Sequence, residues 1–175
     1  MTQTLDEQLL SFAKRYSARG ILLDTNVLLL LLFAVYQPTM IGRKRLEKYS
    51  ADDGALLVQY VDRFGRILTT PHVLAETSNL VRQIVKGRLR TELFAKLHPP
   101  FCLCLPDSFE QCAVAGQNID GELFGRLGLT DSSLATLVQT EQLLLTDDLD
   151  LYVAAISNGG NAINFTHMRE AAGLV

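Results

Sequence analysis

The apolar run Ile21-Leu22-Leu23 leads straight into Asp24-Thr25-Asn26, and the chain turns apolar again from Val27 to Val35. Apolar sequence on both sides of an acid, a hydroxyl and an amide reads as a buried strand, a tight turn with Thr25 as the helix cap, and a buried helix. Folding needs no carboxylate there. Taking one out of water is costly unless it is hydrogen-bonded or bound to a cation, so Asp24 reads as a capping group or as a ligand of a cation.

Three further acids stand in similar settings. Glu76 lies in Pro71-His72-Val73-Leu74-Ala75-Glu76-Thr77-Ser78-Asn79-Leu80, where Pro71 suits a helix start and Val73, Leu80 and Ile84 give an apolar face. Asn79 and Gln83 share its side of that helix. Asp131 follows Gly128-Leu129-Thr130 and opens Ser132 to Val138, a helix start with Thr130 or Asp131 as the cap. Asp148 follows Leu143-Leu144-Leu145-Thr146, a short buried strand ending in a turn. Strand, acid, helix is thus written twice, at Asp24 and at Asp148.

The remaining elements decide how these acids are arranged. Leu9, Leu10, Phe12 and Ala13 fall at helical spacing among charges between Asp6 and Arg19, so residues 1–20 form an amphipathic helical extension that Gly20 ends. Gln37 to Gly42 reads as a loop, and Arg43-Lys44-Arg45 opens a polar segment expected to cover the site. Asp52-Asp53 caps a helix expected over Gly54 to Phe64. Further strands are expected at Ile67 to Thr70, Phe101 to Leu105, Leu143 to Leu145 and Ala162 to Phe165. Helices are expected around Glu76, near Thr91 to Leu97, from Asp107 to about Ala115, and after Asp148. Such alternation predicts a three-layer α/β/α fold with a mainly parallel central sheet and right-handed crossovers. At 175 residues and 48% hydrophobic content, the chain suits a single domain.

In an open parallel sheet the carboxyl ends of the strands share one edge, where ligands bind. Asp24 and Asp148 would face one crevice there. Carboxylates gathered in a crevice raise each other's proton affinity unless cations neutralise them, and hard oxygen donors suit Mg2+ or Mn2+. Such ions activate a water and stabilise charge building on a phosphodiester.

With these motifs in view, the chain from about Ile21 to Phe165 resembles a PIN domain, the metal-dependent ribonuclease fold of VapC-type toxins. The resemblance rests on hydrophobic-Asp-Thr-Asn at Asp24, the helical Glu76, the Thr-Asp-Ser-Ser-Leu-Ala string at Asp131, and Leu-Leu-Thr-Asp-Asp-Leu-Asp at 144 to 150. It implies a divalent-metal-dependent endoribonuclease in which Asp24, Glu76, Asp131 and Asp148 hold Mg2+ or Mn2+. It also implies a supporting role for Asn26 beside the first acid. The family pattern of Thr, any residue, Asp, any residue, Asp selects Asp148 with Asp150 second; the adjacent Asp147 is the alternative. Thr146 either orients an acid through its hydroxyl or ends the strand. A protein antitoxin, a homodimer and an RNA substrate follow from the resemblance alone. The competing readings are a catalytically silent PIN-like module that binds RNA or protein, and another α/β phosphoryl-transfer or signalling protein. Asp24-Thr25-Asn26 departs from the Asp-x-Asp that the haloacid-dehalogenase pattern wants.

A net charge of −3 does not recruit RNA, but local clusters can. Arg43, Lys44, Arg45 and Lys48 form one; Arg82, Lys86, Arg88 and Arg90 form another beside the Glu76 helix. They are expected to hold phosphates on either side of an acidic cleft, or to be ordinary solvated faces. The apolar run to Val35 is far shorter than the ~20 residues that span a bilayer. Met1 to Glu7 lacks the basic start and apolar core of a signal peptide, which predicts a cytoplasmic protein with no membrane contact. Cys102, Cys104 and Cys112 fit neither a zinc ribbon nor a redox pair, and His72, His98 and His167 have no ligand spacing.

Overall fold

The computed structural model describes residues 4–97, 103–104, 121–138 and 142–175. Five short strands, β1 (Ile21–Leu23), β2 (Ile67–Thr69), β3 (Leu103–Cys104), β4 (Leu143–Thr146) and β5 (Asn161–Asn164), pair in parallel in the order β3-β2-β1-β4-β5. Leu22 is opposite Leu68 on one side and Leu144 on the other, so β1 is central. Almost every described residue of β1, β2 and β4 is buried, as expected of a parallel sheet covered on both faces. The sheet grows outward from β1 through β2 to β3, then resumes on the other side of β1 with β4 and β5. The order therefore reverses between β1 and β4, the switch point at which open α/β sheets leave a crevice.

The helices are α1 (Leu5–Tyr16), α2 (Thr25–Tyr36), α3 (Ala51–Val61), α4 (Pro71–Ile84), α5 (Gly87–Lys96), α6 (Gly121–Leu137), α7 (Leu149–Ser157) and α8 (Phe165–Ala171). Helix α2 is apolar all round and accordingly buried, with Val27 to Phe33 inaccessible and α3 and α4 packed against it. Truncating Leu30, fully buried there, to alanine would cost roughly 2–5 kcal/mol. Helix α6 packs against α7, completing an arrangement consistent with three layers, α/β/α. None of these helices, among the described residues, is long and apolar enough to cross a membrane.

Helix α1 starts in a capping box between Thr4 and Glu7 and is pinned to α3 by the Tyr60 hydroxyl, which donates to the Leu9 carbonyl at 3.1 Å. Gly20 ends this excursion at φ 96°, with the Arg66 carbonyl oxygen 2.7 Å from where a Cβ would stand, so only glycine fits.

Several boundaries differ from the sequence-based expectation. Helix α3 begins at Ala51 rather than Gly54, because Ser50 and not Asp52-Asp53 is the cap. Asp53 instead closes a capping box as its third residue. Helix α5 runs from Gly87, earlier than Thr91. Strand β5 starts one residue early and stops at Asn164, whose side chain accepts from the backbone of Thr166 and His167 and starts α8 at Phe165. The helix expected from Asp107, most of the Phe101 to Leu105 strand, His98, Cys102 and Cys112 lie outside the described residues.

Candidate functional site

Four parallel strands end in a residue whose side chain caps the helix that follows: Asp24, Thr70, Asp148 and Asn164. All four lie on one edge of the sheet, and the two acids flank the switch point between β1 and β4. Asp24, not Thr25, is the cap of α2. Its backbone is extended while Thr25 is already helical, and aspartate outranks threonine in that role.

Asp24 is buried, and its carboxylate is held from both oxygens. Oδ1 accepts the Val27 N–H at 2.7 Å, and Oδ2 accepts the Asp147 N–H at 2.9 Å together with the Thr146 hydroxyl. The Thr146 oxygen in turn accepts the Asp148 N–H at 3.0 Å, so one hydroxyl links the two strand-end acids. Asp148 caps α7 by accepting the Leu151 N–H at 3.0 Å. Glu76, exposed in the second turn of α4, reaches back to the start of α2, where its Oε2 accepts the Thr25 hydroxyl at 3.0 Å. Thr25 thus orients Glu76, a role the sequence reading did not give it.

Asp131 enters from α6. Gly128, at φ 76° and ψ −178°, breaks that helix, and the Ser132 and Ser133 hydroxyls bond back to the Gly128 and Leu129 carbonyls. Thr130 and Asp131 therefore sit in the first turn after the break rather than at its cap. Burial pushes the Asp131 carboxyl up to about 7, and the charges of Asp24, Asp148 and Glu76 push it the same way. Four carboxylates from four separate segments share one electrostatic field. Burial also raises Asp24, to about 6, against the opposing pull of its bonds from Thr146, Val27 and Asp147. Among the described residues, no three acidic, imidazole or thiol side chains are gathered closely enough to hold one cation as they stand. The set is nonetheless all hard oxygen, which fits Mg2+ or Mn2+ rather than a thiophilic metal. Its raised carboxyls are what a cation would lower.

Asp147, the alternative to Asp148, is engaged elsewhere. Its carboxylate, almost wholly buried, accepts the Tyr49 hydroxyl at 2.6 Å and the Thr166 hydroxyl at 2.7 Å and pairs with the Lys48 ammonium. Asn26 and Asp150 are exposed in the first turns of α2 and α7.

Part of the first basic cluster docks beside the second. The turn of 3-10 helix Lys44–Leu46 docks on the C-terminal end of α4, where Lys44 Nζ donates to the Ile84 carbonyl at 3.0 Å and the Arg45 guanidinium donates to Gln83 Oε1 at 2.9 and 3.1 Å. Ammonium groups suit the negative end of a helix, which is what draws the turn there. Arg82 lies over the Phe94 ring of α5, and Lys86 precedes α5. Gln83, two turns beyond Glu76, is ~10 Å along the axis of α4 from it. Lys48 instead leaves its cluster for Asp147.

Comparison with protein-family models, with curated proteins and with solved structures finds no match for this chain. The functional reading therefore rests on its own residues and their placement.

Proposed function

We propose that the chain is a divalent-metal-dependent endoribonuclease of the PIN type. The observation that carries this reading is the placement of Asp24 and Asp148 on either side of the switch point of a parallel sheet, with Glu76 bonded to Thr25 next to Asp24 and Asp131 near enough to feel all three charges. Those four carboxylates would hold Mg2+ or Mn2+, which supplies an activated water and neutralises charge on the phosphate when bound. Asp24 is the fixed member, locked by Val27, Thr146 and Asp147, while Glu76 is steered by Thr25. The basic residues Arg43, Lys44, Arg45, Arg82 and Lys86 would supply phosphate contacts that draw RNA toward the acids. By the same resemblance, a protein antitoxin and a homodimer belong to this reading.

The test is cleavage of a mixed cellular RNA pool by purified protein in Mn2+, Mg2+ or EDTA, beside Asp24→Asn. Products that need the metal and fall at least about 100-fold in the variant, with unchanged circular dichroism, are expected. A fully active Asp24→Asn protein would refute the assignment. RNA binding with no products in either metal would favour a silent binding module instead.

A further inference from the structure

Asp147 is the first of the two adjacent acids in the turn after β4, and nothing in the proposed chemistry uses its carboxylate. That carboxylate is nevertheless 2% exposed and meets three donors from two other segments: Tyr49 and Lys48 from the stretch before α3, and Thr166 from the first turn of α8. Lys48 is half exposed, so its ion pair contributes little on its own. The two hydroxyls are the buried grip. The Tyr49 phenol keeps its proton, because burial and the Asp147 charge both push its ionisation far up. It remains a donor at any ordinary pH.

Tyr49 is itself fixed. Its ring packs against Phe165 at 6.4 Å and lies under the Arg169 guanidinium at 5.6 Å. Arg169 is buried and bonds both oxygens of Asp53, at 2.7 and 3.1 Å, as well as the Lys48 carbonyl at 3.0 Å. A chain of contacts therefore runs from the Asp53–Arg169 pair through Tyr49 to the Asp147 carboxylate. The backbone N–H of that same residue then donates to Asp24 Oδ2. Gripping the side chain fixes the turn, and the turn presents both the Asp147 N–H and the Thr146 hydroxyl to Asp24.

We propose that Asp147 is a positioning residue for Asp24, with Tyr49 and Thr166 acting through it. The inference rests on reading Asp24 as an acid of the site. Outer partners of this kind orient ligating groups, and losing one typically costs about 10- to 100-fold in function.

Tyr49→Phe and Thr166→Val each remove one hydroxyl and keep the packing. The first readout is hydrogen exchange of the Asp147 and Val27 amides, the two backbone donors to the Asp24 carboxylate, followed by NMR. The second is kcat and KM for RNA cleavage in Mn2+. Both variants should speed exchange at those two amides about tenfold or more while the interior of α2 keeps its protection, and should lower kcat about tenfold with KM within about twofold. Unchanged exchange at Asp147 and Val27 would overturn the proposal. So would loss of protection spread evenly over α3 and α8, which marks a purely structural brace. If the wild-type protein cuts no RNA, the ribonuclease reading fails while the amide exchange still decides whether Asp147 positions Asp24.

Discussion

Two groups of acids lie side by side in this molecule and are treated in opposite ways. Asp53 is buried against Arg169, and although burial would raise it, the bonds from Arg169 and Ser50 win and hold its carboxyl below the usual range. Asp24 and Asp131 are pushed the other way, to about 6 and about 7: both by burial first, Asp24 further by the Asp147 charge, and Asp131 further by the charges of Asp24, Asp148 and Glu76. A carboxylate that serves the fold comes with its cation; the acids at the switch point have hydroxyls and amides but keep their mutual repulsion. That contrast is why the second group reads as a site and the first as a brace.

The comparison breaks most sharply at Arg169. Arg169→Met leaves Asp53 buried without its cation and should cost about 3–5 kcal/mol in urea denaturation, whereas the double variant with Asp53→Leu should recover most of that. A loss below about 1 kcal/mol for Arg169→Met would show the pair to be no brace at all.

The pH response should separate the groups next. Asp24 is raised above its ordinary value of 3.8 to about 6, so the folded state keeps that proton longer and stability falls as pH rises through this window. Measured in EDTA, wild type relative to Asp24→Asn should lose on the order of 3 kcal/mol between about pH 4 and pH 7. Asp53 runs in the opposite sense: its contribution is present above its ordinary value and is lost as pH falls below it. A flat difference curve across pH 4 to 7 would mean that Asp24 carries no strain.

Divalent cations should stabilise only the unpaired group. At about 100 times the dissociation constant, Mn2+ should add about 2.7 kcal/mol to wild type and much less to Glu76→Gln. The smallest effect concerns the basic patch. Arg82→Ala or Lys86→Ala should weaken RNA binding similarly for all sequences and reduce the salt slope by about 1 each, with no change in cation-dependent stability.

How much of this the sequence carries depends on range. The strand-to-acid-to-helix units at Asp24 and Asp148 are local, because alternating runs of a few residues and a capping group write the whole unit, and they were legible. Glu76 was legible on its helix from the apolar spacing around it and the parallel α/β sheet from the alternation of elements, whereas Asp131, read as standing at a helix start with itself or Thr130 as the cap, lies in the first turn after the break at Gly128. The Asp53–Arg169 pair joins residues 116 apart and the Tyr49–Asp147 bond joins residues 98 apart, so no periodicity or spacing signals either. The same limit hid the meeting of the two basic clusters, which depends on the turn at Lys44 docking on the end of α4. Thr70 and Asn164 could have been found, since each stands between an apolar strand and a helix as Asp24 does. Their side chains are neutral, so they carry no charge signal of a cation ligand.

The most direct test of the account is Mn2+ binding at pH 7.5, followed by electron paramagnetic resonance, for wild type, Asp24→Asn and Asp53→Asn. The account predicts saturable binding to wild type that is lost in Asp24→Asn and retained in Asp53→Asn. Equal binding by all three proteins, or none above background in wild type, would contradict the claim that the unpaired acids at the switch point form a cation site.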